Sequence, residues 1–224
     1  MMGKNEYARL TKLQNRAEKA LIIGRPYQEV VLVLEELARE APEGSEFHLF
    51  AHQRLAELCL EHNPWQSALH LKRLMRVGVN DDSVYALMGL CQTLLGNYHS
   101  AVAAYRRALE LAPDNPWYHH NLGHLLDVGM GRAENGEKHL RIAYGLESQD
   151  SEIASSFAHC LARLGRLAEA QSIAKRAVRV SPYNKEHRAL LAWIERGAPA
   201  DGYCVSTAKA GLDKADLRTN RAVD

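Results

Sequence analysis

Residues 82–115, DSVYALMGLCQTLLGNYHSAVAAYRRALELAPDN, are the stretch that decides the fold of this chain. Apolar residues recur at helical spacing on both sides of Gly96-Asn97, which interrupts the pattern, so the stretch predicts two successive amphipathic helices. Asp82 is expected to cap the first helix, and Pro113 is expected to end the second. Small residues stand where the helix axes must come close, and large residues fill the space around them. The small residues are Gly89, Ala101 and Ala108, and the large ones are Tyr85, Met88, Leu95, Tyr98, Tyr105 and Leu109.

The spacing of these residues resembles the tetratricopeptide repeat (TPR), a helix–turn–helix unit of about 34 residues. The aromatic, Leu-Gly, Ala and Pro positions of the family pattern are matched by Tyr85, Met88-Gly89, Ala101, Tyr105, Ala108 and Pro113. The resemblance implies an all-α fold in which TPR-like helix pairs stack into a right-handed superhelical solenoid.

The pattern recurs along the chain and predicts about five helix pairs followed by a capping helix at residues 185–196. The first pair is degenerate, because Val30 and Leu37 stand where the family places alanines. Three parts are predicted: an N-terminal helix pair over residues 1–45, a TPR array with its capping helix over 46–196, and a tail over 197–224. We expect the tail to be flexible, with at most a short helix within residues 212–222.

One additional residue interrupts the constant spacing in the fourth repeat. Gly123 follows Gly89 by 34 residues, whereas Ala143 follows Ala108 by 35. We therefore predict an insertion of one residue, most simply in the turn Gly129-Met130-Gly131.

Composition excludes several classes of protein. The chain has 28 Lys and Arg against 27 Asp and Glu, so it exerts no long-range attraction on nucleic acid or an anionic membrane. The run Lys72, Arg73 and Arg76 is too short for a nucleic-acid footprint and is interpreted as a solvated helix face. The N-terminal residues are too polar for a signal peptide, and no apolar run reaches the ~18 residues of a membrane span. We expect a soluble, cytoplasmic protein.

The cysteines form no CxxC pair and are interpreted as reduced residues. Three of the four lie in apolar helical stretches, where a cysteine packs as a small hydrophobic residue. The four are Cys59, Cys91, Cys160 and Cys204.

The resemblance also implies a binding groove. In this family the first helix of each pair lines the inner surface of the superhelix, and partners bind there. Repeat two is expected to contribute Phe50, Gln53, Arg54 and Glu57; repeat three Ala86, Leu87, Leu90 and Thr93; repeat four Trp117, His120, Asn121, His124 and Asp127; and repeat five Glu152, Ser155, Ser156 and His159. Trp117 is the strongest single candidate, because an exposed aromatic residue supplies a large contact area at a low cost in entropy.

Some family members hold a partner's terminal carboxylate with Lys, Arg and Asn side chains at fixed groove positions. Asn121 matches the middle requirement, but Ala86 and Leu90 precede it, and Glu152 and Ser156 follow it, where that mode needs polar or basic donors. A carboxylate would lose its charged partners and meet Glu152, so we do not expect this mode.

The histidines of the fourth repeat leave two interpretations open. His120 and His124 are four residues apart and share a helix face, and His159 is expected on the adjacent helix, which is ligand spacing for zinc. The motif lacks the glutamate of HExxH and therefore the general base of a metalloprotease. The interpretation that we favour is a set of polar groove residues that hydrogen-bond a partner and respond to pH, with no metal and no cofactor.

The leading hypothesis is a non-enzymatic protein–protein interaction module, an adaptor or chaperone that binds a peptide or helical segment of a partner. The sequence has no GxSxG motif and no phosphate-binding glycine loop, so no enzyme class is indicated. One alternative is a self-associating assembly subunit, with Trp193 of the terminal helix as an interface residue. The stretch GLCQTLLGNYHSAVAAY also resembles bacterial secretion chaperones that use three tandem repeats. A metal-dependent or pH-sensing module is the remaining alternative.

Overall fold

The computed structural model describes residues 3–199, and within that range the chain is entirely helical, with no strand. Eleven α-helices follow one another: α1 (Lys4–Ile23), α2 (Tyr27–Glu40), α3 (Glu46–His62), α4 (Pro64–Arg76), α5 (Asp82–Leu94), α6 (Tyr98–Leu111), α7 (Pro116–His124), α8 (Ala133–Leu146), α9 (Ser151–Arg163), α10 (Leu167–Val180) and α11 (Lys185–Glu195). The predicted all-α class is confirmed. Cys204 and the short helix predicted within residues 212–222 lie outside the described residues.

The chain divides into two compact units between Asn97 and Tyr98. In unit 1, α1 packs on α2 and α3 packs on α4, and the first helices α1, α3 and α5 also adjoin in turn. In unit 2, α7 packs on α8 and α9 packs on α10, while α11 covers the last pair and α9 adjoins both α7 and α11. Each unit therefore stacks helix pairs in the order that the repeats predict, and α11 supplies the predicted capping helix.

Asparagine, aspartate and serine side chains fix the starts of most first helices. The Oδ1 atom of Asn115 accepts hydrogen bonds from the backbone N–H groups of Trp117 and Tyr118 at 3.0 and 3.3 Å. Comparable caps are made at α3, α5 and α9 by Ser45, Asp81 and Asp150. Two other helices, α4 and α11, are capped in the same way by Asn63 and Asn184. The cap of α5 is Asp81 and not Asp82 as predicted. Asp81 has an extended backbone, whereas Asp82 already belongs to the first turn of the helix.

Small residues allow the paired helices of unit 2 to approach closely. A Cβ atom on Gly136 would lie 2.6 Å from the backbone oxygen of Gly123, and one on Gly123 would lie 2.9 Å from that of Gly136. Helices α7 and α8 therefore meet backbone to backbone, which only glycine permits. Ala143 is fully buried on the same side of α8. A close helix crossing at small residues, which was expected for the third repeat, thus occurs in the fourth.

The additional residue of the fourth repeat lies within a helix. A π-helical turn, Leu125–Gly129, continues α7, and the backbone N–H of Met130 bonds the oxygen of Leu125 at 3.0 Å. Because a π-turn contains one residue more than an α-turn, it absorbs the insertion. The turn Gly129-Met130-Gly131, predicted as the simplest place for the insertion, begins at the last residue of this π-helical turn. We call residues 125–129 the π-turn.

The three cysteines within the described range are free and buried, as predicted. Burial raises the pKa of the Cys91 thiol to about 11 and that of Cys160 to about 12, so both remain protonated at neutral pH. Over residues 3–199, no helix combines the length and the apolar character needed to cross a membrane.

Candidate functional site

The predicted groove residues of α3 form a partly exposed polar surface. Arg54 donates a hydrogen bond to Glu57 at 2.6 Å, and its guanidinium lies over the ring of Phe50, 5.8 Å from the centroid. Gln53 lies on the same helix and is also partly exposed. The arginine is therefore held by two neighbours before any partner arrives.

The predicted apolar floor on α5 is not an open surface. Ala86, Leu87 and Leu90 are 6%, 7% and 8% exposed, so they belong to the core and offer little area to a partner. Thr93, at the end of the same helix, is half-buried and donates its hydroxyl hydrogen to the oxygen of Gly89 at 2.9 Å. The expectation that the three apolar residues contact a ligand is corrected accordingly. Sequence spacing gives the face of a helix but not what covers that face.

In unit 2 the structure brings together most of the predicted side chains of α7 and α9. The residues that remain partly exposed are Trp117, Asn121, His124, Glu152, Ser155 and Ser156. We call these six residues the α7–α9 surface. They come from neighbouring first helices, as the repeat pattern predicts.

His120 joins the two helices beneath this surface. It is only 2% exposed, and its Nε2 atom lies 2.9 Å from the hydroxyl of Ser156 while its Nδ1 atom lies 3.3 Å from the side-chain oxygen of Asn121. The ring of Trp117 contacts it edge to face at 5.5 Å between centroids, and the ring of His124 stacks on its other side at 6.1 Å. His120 therefore positions its neighbours and is not itself accessible, which corrects its assignment as a contact residue.

Two other predicted groove residues, Asp127 and His159, are also buried. Asp127 is 1% exposed and lies in the π-turn, and His159 is 9% exposed. One carboxylate oxygen of Asp127 lies 3.2 Å from His159 Nδ1, and the other accepts a hydrogen bond from Arg163 at 2.6 Å. Arg163 also donates to the backbone oxygen of Asp127 at 2.8 Å. This network holds the π-turn against α9.

Trp193 packs against the same network from α11. It is 5% exposed, its ring stacks on that of His159 at 5.8 Å, and its indole N–H donates to the oxygen of Pro199 at 3.0 Å. A side chain that is buried within its own unit cannot also be an interface residue, so that role of Trp193 is corrected.

The sequence left zinc binding as one interpretation of the histidines of this region. Burial lowers the pKa of His120. Burial also lowers the pKa of His124, which the neighbouring His120 and His159 bring down to about 4. Both imidazoles are therefore neutral at pH 7. Within residues 3–199, no group of three or more His, Cys, Asp or Glu side chains is arranged to hold a metal ion. Of the three residues of the zinc interpretation, His120 lies against Ser156 and His159 lies against Asp127.

Sequence reasoning missed a second set of histidines. His119 Nδ1 lies 3.0 Å from His139 Nδ1, and His52 Nδ1 lies 2.8 Å from His70 Nδ1. In each pair the first member stands at the aromatic position of its repeat and the second lies on the paired helix. A histidine at the aromatic position of two repeats was therefore the sequence feature that could have indicated these pairs. His119 is 8% exposed and packs in the core.

A family model described as TPR repeat matches residues 93–126, which include α6 and α7. The match overlaps residues 93–115 of the stretch whose spacing carried the resemblance. The chain therefore contains a TPR repeat. No curated protein matches its sequence.

Several solved structures share the fold of this chain. PilF of Pseudomonas aeruginosa is 16% identical with a TM-score of 0.69, over 93% of this chain and 90% of that one. TTC0263, a thermophilic TPR protein in Thermus thermophilus, is 19% identical with a TM-score of 0.61, over 84% of this chain and 99% of that one. MamA is 15% identical with a TM-score of 0.65, over 74% and 94%. At these identities the likeness shows the fold alone.

Proposed function

We propose that this TPR protein is a non-enzymatic adaptor or chaperone that binds an extended peptide or helical segment of a partner on the α7–α9 surface. The observation that carries the proposal is the arrangement of Trp117, Asn121 and His124, which are spaced i, i+4, i+7 on α7 beside the polar residues of α9. Helical TPR-like repeats are typically protein-interaction modules, and this spacing places three different kinds of contact in one row.

The chemistry of the row defines the segment that fits it. Trp117 supplies an aromatic face for an apolar side chain, and the Asn121 amide can both donate to and accept from a peptide backbone. His124 is neutral at pH 7 and adds a second ring without charge. Glu152 is the only charged member of the surface as defined, and it lies 3.4 Å from both Asn184 and His187. A neutral or weakly basic segment is therefore favoured over an acidic one.

The side chains beneath the row preorganise it. The hydrogen bond between His120 and Ser156 fixes α7 relative to α9, and the ring contacts of His120 hold Trp117 and His124 in place. Because these contacts exist in the free protein, binding loses less side-chain entropy than it would on a mobile surface.

We further propose that the protein acts in the cytoplasm, since Cys59, Cys91 and Cys160 are free and buried.

The test is affinity capture followed by mass spectrometry with wild type, a Trp117→Ala/Asn121→Ala variant and Tyr183→Ala. Tyr183 is 91% exposed in the connection between α10 and α11, so its variant controls for general loss of aromatic surface. We expect a partner that binds wild type and Tyr183→Ala and is lost from the α7 variant. Equal recovery by all three proteins would refute the assigned surface.

Self-association is a second candidate function, and one observation in unit 1 favours it. Ile22 and Ile23 at the end of α1 are 85% and 58% exposed, and Leu32 on α2 is 65% exposed. Exposed apolar side chains grouped in this way are typical of interaction surfaces. Sedimentation velocity at micromolar concentration should show a wild-type oligomer that Ile22→Lys/Leu32→Lys dissociates and Val180→Lys does not. A monomeric wild type would exclude this function.

A further inference from the structure

Unit 1 contains a cavity of about 510 Å³ that lies among α2, α3 and α4. It is distinct from the predicted groove. His48, His52 and Leu55 face it from α3, whereas Phe50 and Arg54 on the same helix belong to the groove candidates. Since consecutive residues of a helix are rotated by about 100°, His48 and Phe50 point to nearly opposite sides.

Three arginines line this cavity from two different helices. Arg39 comes from α2, and Arg73 and Arg76 come from α4. Among the described residues, Arg39 and Arg73 take part in no ion pair, while Arg76 lies 3.2 Å from Glu43 in an exposed contact. Arg73 and Arg76 are exposed, as the interpretation of a solvated helix face predicts, and they also line this cavity. Both line a cavity whose opposite wall carries another arginine.

Three imidazoles form the inner wall. His52 Nδ1 lies 2.8 Å from His70 Nδ1, and the ring of His48 meets that of His52 edge to face at 4.4 Å between centroids. His48 is 7% exposed, and its buried Nδ1 atom has no hydrogen-bond partner among the described residues. A buried polar atom without a partner is costly in a folded protein. One ring nitrogen of this wall, His48 Nδ1, therefore lacks a hydrogen bond in the protein alone.

The charged side chains that line this cavity carry a net positive charge. Burial, and to a smaller extent the charge of Arg73, lower the pKa of His70 to about 4, and the same two causes together with the neighbouring His48 and His70 lower that of His52 to about 3. Burial also lowers the pKa of His48; Glu43 opposes this effect, and Arg73 contributes to it. Three guanidinium groups face two carboxylates, those of Glu35 and Glu43, so the walls retain a net positive charge when the imidazoles are neutral.

We propose that this cavity binds a small organic molecule that carries a phosphate group. Arg39 and Arg73 approach from different helices, and a phosphate group presents several oxygens to donors on separate sides, whereas a carboxylate is satisfied by one arginine. A volume of about 510 Å³ exceeds that of a bare phosphate ion and falls in the range of small-molecule sites. Ala38, Ala41 and Leu55 supply an apolar wall for the carbon part.

The test uses phenyl phosphate and inorganic phosphate as probes of the purified full chain. Calorimetry should give a measurable affinity for phenyl phosphate, and the imidazole signals of His48, His52 and His70 should shift in NMR spectra. We expect Arg73→Gln to weaken binding about tenfold or more, because a charge-assisted hydrogen bond is lost. Arg39→Gln, on the other wall, should have a similar effect.

Lys72→Gln is the matched control, since Lys72 is an exposed neighbour of Arg73 on α4 and does not line the cavity. Its affinity should stay within about twofold of wild type. Failure to bind phenyl phosphate at millimolar concentration, or equal weakening by Lys72→Gln and Arg73→Gln, would overturn the proposal. Equal affinity for inorganic phosphate would overturn the organic part of the ligand. None of these measurements involves the α7–α9 surface, so the result is independent of the proposed partner binding.

Discussion

Arg163 donates a hydrogen bond to Asp127 at 2.6 Å, although the side chain of Asp127 is only 1% exposed. The same arginine bonds the backbone oxygen of Asp127 at 2.8 Å, and so it holds both the side chain and the main chain of the π-turn. A π-turn has poorer hydrogen-bond geometry than an α-helix and persists only where its surroundings support it. The pairing of Arg163 with Asp127 provides that support from the next repeat.

The first prediction concerns this pair. Arg163→Met should lower the free energy of unfolding by about 3 kcal/mol, because it leaves a buried carboxylate without its cationic partner. Arg107→Met is the control, since Arg107 and Glu110 form an exposed pair one helical turn apart. That control should change the free energy of unfolding by no more than about 0.5 kcal/mol. Urea denaturation followed by circular dichroism measures both, and equal effects would contradict the role assigned to Arg163.

The second prediction concerns the crossing of α7 and α8. Gly136→Ala should destabilise the protein by roughly 2–3 kcal/mol, because the new methyl group would lie 2.6 Å from the backbone oxygen of Gly123, which cannot move away. Gly145→Ala lies on the same helix and has no atom within 4 Å of the added methyl group. This control should be neutral or stabilising by about 0.5 kcal/mol, because alanine favours the helix. Thermal denaturation of the two variants distinguishes a local clash from a general effect of alanine.

The fold could be predicted from the sequence because the signals for each helix pair are local. Gly96-Asn97 and Pro113 mark helix boundaries whatever the rest of the chain does, and buried alanines such as Ala108 recur at the repeat spacing. The π-turn could not be located in the same way. An insertion of one residue is visible in the spacing of the repeats, but its position depends on which backbone groups find hydrogen-bond partners. One such partner is Arg163, which bonds Asp127 of the π-turn although it lies 36 residues further along the chain.

The candidate site was only partly predictable for a related reason. Helical spacing correctly brought Asn121 of α7 and Ser156 of α9 to one surface. It could not distinguish a partly exposed residue such as His124 from a buried one such as His120, because both occupy the same helix face. Exposure depends on the neighbouring repeat, which a single repeat pattern does not describe.

The third prediction separates a core role of Trp193 from an interface role. Trp193→Ala should lower the free energy of unfolding by about 3–5 kcal/mol, since the ring is 5% exposed and stacks on His159. Trp65→Ala is the control, because Trp65 is 60% exposed. This substitution should change the free energy of unfolding by no more than about 0.5 kcal/mol. Light scattering on Trp193→Phe, which keeps an aromatic ring, should give the wild-type mass at every concentration, and a lower mass would restore the interface role.

The fourth prediction concerns acid sensitivity through His124. Its pKa is lowered from 6.5 to about 4 by burial first and then by the neighbouring histidines, so the unfolded chain binds the proton more readily than the folded one. The contribution of His124 to stability is therefore complete above pH 6.5 and is lost progressively as the pH falls from 6.5 to 4. One such group contributes a slope of at most about 1.4 kcal/mol per pH unit.

His124→Gln should reduce the steepness of the decline over this window when urea midpoints are measured at each pH. His99→Gln replaces an exposed histidine and should follow the wild-type curve. If His124→Gln also followed it, the imidazole of His124 would have to be protonated equally in the folded and unfolded chains, and its burial against His120 would have no consequence for stability.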